Sequence, residues 1–208
     1  MLALGVLVSG QGTNLQAILD AVAAGRLDAR VKLVLSNKPG APALARAERA
    51  GVATRVVEHR SHASREDFDR ALVDALEAAG VELVVLAGFM RMLTPVFLRA
   101  FPGRVVNVHP ALLPAFPGVR AQEQALAHGV KVAGCTVHFV DDGVDTGPII
   151  AQRVVPVLDD DDVGSLTARI LVEEHVALVD AIAAIAAGRV EITATGGEGR
   201  ARTRTRPA

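Results

Sequence analysis

Leu2-Ala3-Leu4-Gly5-Val6-Leu7-Val8 runs directly into Ser9-Gly10-Gln11-Gly12-Thr13-Asn14. An apolar run interrupted only by Gly5, closed by small and polar residues, reads as a buried strand that enters a helix through a glycine loop. Outward from that stretch the same alternation repeats. Apolar runs at 31–35, 53–57, 83–87, 104–108, 132–140 and 148–157 read as strands. Between them lie helical patterns at 14–24, 42–50, 95–100, 121–127 and 165–187. A further helix follows Ser64, a capping residue type, with Phe68, Leu72 and Leu76 recurring every fourth position. Thr94-Pro95 supplies a cap and a first-turn proline, and Gly188 a helix stop. This rhythm predicts an α/β fold: a single doubly wound, mostly parallel sheet with helices on both faces. In such folds ligands bind beyond the carboxyl ends of strands, where strand order reverses.

The bulk numbers narrow the class. The chain has 208 residues, half of them apolar and 3% aromatic, so its core is built from Val, Leu, Ile and Ala. One domain over 1–194 is expected. The remaining 195–208 holds four arginines and no apolar residue larger than alanine or proline, and is expected to be unordered. A net charge of −1 gives no global field for nucleic acid or an acidic membrane. No run is long enough to span a bilayer, and the apolar N-terminus lacks a basic leader. A lone cysteine, Cys135, suits a reducing, cytoplasmic setting.

The glycine loop offers close backbone approach and a helix N-terminus, which suits a phosphate. The alternative is a tight turn capped by Thr13 or Asn14. A dinucleotide is disfavoured, because Leu15 stands where a third glycine is needed and the second strand ends in Ser36-Asn37 without an acid. No lysine follows to make a Walker loop.

Two later segments carry the chemistry. Asn107-Val108-His109-Pro110 ends a strand with two polar side chains on one face, because residues i and i+2 face the same side. The stretch from His138 to Gly147 brings Asp145-Thr146-Gly147. An amide, an imidazole and a carboxylate suffice to move an acyl group onto an amine without a metal or a covalent enzyme intermediate. Taken singly, Asn107-x-His109 reads equally as a strand-end hydrogen bond, and Asp145-x-Gly147 as a turn. His138 reads as a residue behind the catalytic set or as a core histidine. Cys135 faces the opposite side with Val137 and Phe139 and reads as packing. Asp159–Asp162 lacks calcium-loop spacing and suits the N-terminus of the last helix. His59 and His62 read as surface residues, and no metal site is expected.

In combination these residues carry a resemblance. Ser9-Gly10-x-Gly12-Thr13-Asn14-Leu15-Gln16-Ala17-Ile18, Gly88-Phe89-Met90-Arg91, Asn107-x-His109-Pro110-x-Leu112-Leu113-Pro114, Thr136-Val137-His138-Phe139-Val140 and Asp145-x-Gly147-Pro148 occur in order. Over roughly 1–190 the chain resembles the phosphoribosylglycinamide formyltransferases, folate-dependent enzymes of purine synthesis with a Rossmann-like fold. The Asn/His/Asp set belongs to the wider formyltransferase group, while Gly12-Thr13-Asn14 and the length point to this member. The resemblance implies small-molecule substrates and 10-formyltetrahydrofolate as co-substrate, in a monomer or homodimer. It implies catalysis by Asn107, His109 and Asp145. Gly12, Thr13 and Asn14 would hold the substrate's phosphate, with Glu174 near its glycinamide or ribose. Met90, Arg91, Met92 and Leu93, with Asn107 and the loop Val140, Asp141, Asp142, Gly143, Val144 and Asp145, would embrace the pterin. Arg65 would lie toward the folate's anionic side, and His138 behind the catalytic residues. Two departures stand out: Val119-Arg120-Ala121-Gln122, after Pro117-Gly118, stands where relatives often carry histidines and keeps a basic residue in Arg120, and Leu171 falls where some relatives have a polar substrate contact.

The alternatives are a 10-formyltetrahydrofolate hydrolase, a transfer-RNA formyltransferase and a non-catalytic nucleotide-binding module. The hydrolase usually carries a regulatory domain ahead of its catalytic one, whereas this chain starts at its first strand. The transfer-RNA enzyme usually has a further C-terminal domain. The binding module leaves Asn107, His109 and Asp145 without a reason to coincide.

Overall fold

A computed structural model of the chain describes residues 1–193 and 201–206. Its strands are β1 (Leu2–Val8), β2 (Ala29–Ser36), β3 (Thr54–Val56), β4 (Leu83–Leu86), β5 (Val105–His109), β6 (Val132–Phe139), β7 (Ile149–Pro156), β8 (Val190–Thr193) and β9 (Arg202–Thr205). Its helices are α1 (Thr13–Ala23), α2 (Pro42–Arg49), α3 (Arg65–Ala78), α4 (Pro95–Ala100), α5 (Ala121–His128) and α6 (Val163–Ala186). The seven-stranded sheet has the order β3-β2-β1-β4-β5-β6-β7, the mostly parallel α/β architecture expected from the sequence. Two compact units divide the chain, Met1–Asn107 and Val108–Ala208.

In the first unit, β1 lies between β2 and β4 and pairs with both in parallel. The chain builds outward to β3 on one side and to β5 on the other. The strand order therefore reverses between β1 and β4, and the turns after these two strands flank the reversal. Burial dictates this placement: β4 is buried at every position, and β1 from Gly5's neighbours onward, as the unbroken apolar runs require. Helix α1 packs with α2, and α3 with α4. Ser64 caps α3 as its residue type suggests, accepting from the Asp67 N–H at 3.0 Å. Thr94 occupies the N-cap position of α4, but its side chain makes no capping bond. His59 and His62 are half-buried and not simply on the surface, with rings set edge-on to Phe68 at 6.4 and 5.7 Å.

In the second unit, β6 and β7 pair antiparallel and α6 packs on both. The acidic run does what a helix N-terminus favours. Asp162 caps α6 in a reciprocal box with Ser165, and Asp161 forms a two-pronged pair with Arg169 at 2.6 and 2.9 Å. The Cys135 thiol is fully buried and pushed up to about 12 by burial, with Glu174 adding to the effect. Such a thiol packs and does not attack.

The expectation of an unordered tail fails over Arg202–Thr205, which pairs antiparallel with β8. Backbone bonding, an Arg206–Glu191 ion pair and the Thr203 hydroxyl donating to the Ile149 carbonyl hold it, so order here comes from polar pairing and not from apolar burial. The rest of the expected tail, 195–200 and 207–208, lies outside the described residues. Among the described residues no helix is long and apolar enough to cross a membrane.

Phe97 is fully buried and stacks on Phe101 at 5.6 Å. Phe97→Ala is expected to cost about 3–5 kcal/mol, read as a lowered urea midpoint with unchanged slope.

Candidate active site

The first unit presents two loops at the carboxyl ends of β1 and β4. Gly12 is the N-cap of α1 in a left-handed conformation, φ 73°, and no side chain caps the helix. Neither Thr13 nor Asn14 acts as the cap considered from sequence. A Cβ at Gly12 would meet Ala43 Cβ at 2.5 Å, so both conformation and space require glycine. The loop is braced by α2: Ala43 N–H donates to the Gly10 carbonyl at 3.2 Å and Arg46 Nε to the Gln11 carbonyl at 2.8 Å.

The loop after β4 carries Met90 and Met92, which are 72% and 55% exposed and are therefore not ordinary packing. Its backbone is pinned from α3. Arg65 Nη2 donates to the Met92 carbonyl at 3.1 Å, and the buried Asp69 carboxylate accepts from the Thr94 N–H at 2.5 Å. Burial raises Asp69 above its ordinary value even though the Thr94 bonds, Arg65 and Arg91 all favour its charge. Arg91 lies over the Phe68 ring, 5.3 Å from its centre.

At the start of the second unit, β5 ends at His109, which is 4% exposed. Its Nδ1 faces Asp145 Oδ2 at 3.3 Å, and its Nε2 donates to the Phe116 carbonyl at 2.9 Å. Asp145 Oδ2 also accepts from the Gly118 N–H at 2.8 Å, while Oδ1 lies 3.6 Å from His138 Nε2. His138 is 2% exposed, and its Nδ1 donates to the Phe139 carbonyl at 2.9 Å. His138 is thus buried, and its Nε2 faces the Asp145 carboxylate. Burial raises the Asp145 carboxyl, but the His138 contact, the Gly118 N–H and the charge on His109 outweigh it and hold the group below the usual carboxylate range.

The loop before Asp145 is folded by its own residues. Asp141 Oδ1 accepts from the Gly143 N–H at 3.1 Å and from the Thr146 hydroxyl at 2.6 Å. A Cβ at Gly147 would meet the Phe139 carbonyl oxygen at 1.8 Å, so no other residue fits. Asp145 itself sits at φ 53°, a strained conformation for a non-glycine residue. A polar network supports the turn after His109. The Thr136 hydroxyl donates to the Ala111 carbonyl at 2.6 Å and accepts from the Leu113 N–H at 3.0 Å, and Gln152 Nε2 donates to the Leu113 carbonyl at 2.9 Å.

A model of the family described as formyl transferase matches residues 3–182. The chain belongs to the formyl transferase family. It is 43% identical over 187 residues to the phosphoribosylglycinamide formyltransferase of Escherichia coli (strain K12), covering 90% of this chain and 88% of that one. It is 52% identical over 190 residues to the trifunctional purine biosynthetic protein adenosine-3 of Drosophila melanogaster, covering 90% of this chain but only 14% of that protein's length. Among solved structures, glycinamide ribonucleotide transformylase 1 from Symbiobacterium toebii shares 54% identity at a TM-score of 0.94, over 99% of this chain and 94% of the other.

Of the residues singled out from sequence in this formyl transferase, His109, His138 and Asp145 converge within the second unit. Asn107 shares the face of β5 with His109 by strand alternation. Asp142, Gly143 and Val144 are exposed, and Glu174 is buried on α6. Sequence assigned no role to Phe116, Gly118, Thr136 and Gln152, because two of them act through backbone atoms and the others are ordinary strand residues. Also unforeseen was a cavity of about 410 Å³ in the second unit, where Leu113, Pro114 and Asp145 face Arg202 and Thr203 of β9. The tail strand thus walls a space that Asp145 reaches.

A carboxylate held below its unfolded value contributes stability above that value, about 3.9, and loses it as pH falls through the folded value. The stability gap between the parent protein and Asp145→Asn is therefore expected to shrink as pH falls from 5 toward 3, measured by urea unfolding at stepped pH. Gly147→Ala is expected to displace the Asp145 loop, read as shifted backbone amide resonances of Gly118 and Asp145 in a two-dimensional NMR spectrum.

Proposed function

We propose that this protein transfers the formyl group of 10-formyltetrahydrofolate to the amine of 5'-phosphoribosylglycinamide in purine biosynthesis, in the cytoplasm. The observation that carries this reading is the ionised Asp145 set against His109 at 3.3 Å, with His138 behind it. The relatives named for this activity support it, the Escherichia coli enzyme over nearly its whole length.

The uncapped α1 N-terminus and the glycine at Gly12 suit the substrate's phosphate, which would accept from the N–H groups of Gly12, Thr13 and Asn14. Glu174 would approach the glycinamide or ribose. The folate fits the exposed thioethers of Met90 and Met92, apolar groups on a segment whose backbone is held by Ser9 and Arg65. Arg91, Leu93 and the loop from Val140 to Val144 would complete that contact. Arg65 supports it in a second way, by holding the Met92 carbonyl. When bound, the folate supplies an electrophilic formyl carbon.

The residues then divide the work. Asn107 donates an amide N–H to the formyl oxygen as charge develops there. His109 donates from Nε2, which must exchange the Phe116 carbonyl for that oxygen. One such donor is typically worth about 2.7–4 kcal/mol of barrier. With both imidazole nitrogens protonated, the ring donates to the Asp145 carboxylate from Nδ1 and outward from Nε2. Asp145 can also help carry the amine's proton to the departing folate nitrogen. His138 and Gly118 hold Asp145 in place.

His109→Ala and Asp145→Ala are each expected to lower kcat by two orders of magnitude or more, with KM for either substrate changed only severalfold. Asn107→Ala is expected to lower kcat while phosphate binding persists. Near-parental turnover in the first two variants contradicts the reading. Following folate deformylation with and without the amine separates the functions: amine-dependent loss marks the transferase, and amine-independent loss the hydrolase.

A further inference from the structure

The buried hydroxyl of Ser9 lies between the two loops at the strand-order reversal of the first unit. Ser9 is 4% exposed, and its backbone N–H donates to the Gly88 carbonyl at 3.1 Å. Its Oγ donates its one proton to Asn37 Oδ1 at 2.6 Å, and the lone pairs accept from the Met90 N–H at 2.9 Å. Asn37 is itself buried, 5% exposed, just beyond the end of β2. One side chain therefore ties together residues that follow β1, β2 and β4.

These bonds have a mechanical consequence. Ser9 directly precedes Gly10 and Gly12, whose backbone is braced on α2 through Ala43 and Arg46. Met90 opens the segment whose thioethers are exposed. The hydroxyl cannot follow one loop without shifting the other, because its proton and a lone pair are both engaged. The Ser9–Asn37 bond is buried and the Met90–Ser9 bond partly so, and breaking either leaves a polar group without its partner, which costs free energy, so the three groups move as one.

We propose that Ser9 is a positioning residue that couples the two substrate subsites, so that phosphate held by the first loop strengthens folate binding at the second. The proposal rests on the functional reading above, which assigns Gly12–Asn14 to the phosphate and Met90–Leu93 to the folate. Ser9 touches neither ligand. It fixes the Met90 amide when the glycine loop is fixed, and the folate then orders less chain on binding. Coupling is reciprocal: folate must strengthen phosphate binding by the same factor.

The test uses tetrahydrofolate, which lacks the formyl group and cannot react, titrated calorimetrically with and without 5'-phosphoribosylglycinamide. The unsubstituted protein is expected to bind tetrahydrofolate at least about fivefold more tightly when the amine is present. In Ser9→Ala that ratio is expected to fall to about one, while each ligand alone still binds. Asn37→Ala, which frees the hydroxyl to turn from Met90, is expected to lose the ratio from a second position. Ser9→Thr, which keeps a hydroxyl, is expected to restore it. Asp69→Asn loosens the far end of the same loop at Thr94 and serves as comparator: tetrahydrofolate weakens in both conditions, and the ratio persists. A ratio near one in the unsubstituted protein, or an undiminished ratio in Ser9→Ala, overturns the proposal. Failure of the unsubstituted protein to bind either ligand overturns the functional reading itself. Melting curves of each variant separate loss of coupling from loss of fold.

Discussion

The Asp145 carboxylate is the group on which the polar geometry around His109 and His138 depends. It receives the Gly118 N–H, faces His109 Nδ1 and lies near His138 Nε2. A partly buried carboxylate tends toward neutrality, because charge is poorly solvated there. Here the donors win, and the group stays ionised. A protonated imidazole is the form that can donate from both nitrogens. The strained backbone at φ 53° is tolerated because Gly147, Asp141 and Thr146 leave the loop no alternative course.

The same device recurs wherever a loop of this protein must hold a shape. A polar side chain takes a backbone group that would otherwise lie unpaired. Thr136 and Gln152 do so for the turn after His109, Asp69 for the end of the Met90 segment, and Ser9 for its beginning. Aliphatic packing fixes the strands, but it has little power to specify an irregular loop. Directional bonds supply that specificity, and their cost when unmet is larger than their net gain when made.

Most of the fold was legible in the residues. Unbroken apolar runs at Leu2–Val8 and Leu83–Leu86 can only be central strands, and the alternation of such runs with amphipathic segments leaves a parallel α/β sheet. The boundaries shifted by a residue or two, as at α6, which begins at Val163 because Asp162 and Ser165 cap it mutually. The tail was misjudged because composition measures apolar burial, whereas β9 is held by pairing with β8 and by Arg206 on Glu191.

Sequence alone determined the chemical inventory: an amide and an imidazole two residues apart at a strand end, a carboxylate before a glycine, and a glycine loop ahead of a helix. Strand periodicity makes such spacing readable, because side-chain direction repeats every two residues. Only the tertiary structure decided which histidine faces the Asp145 carboxylate and which stands behind it. It alone decided that a serine hydroxyl joins two loops, and that an arginine-bearing tail strand walls the cavity Asp145 reaches. Those relations join residues tens of positions apart through single hydrogen bonds, and no local pattern in a chain encodes a contact whose two ends meet only after the sheet has formed.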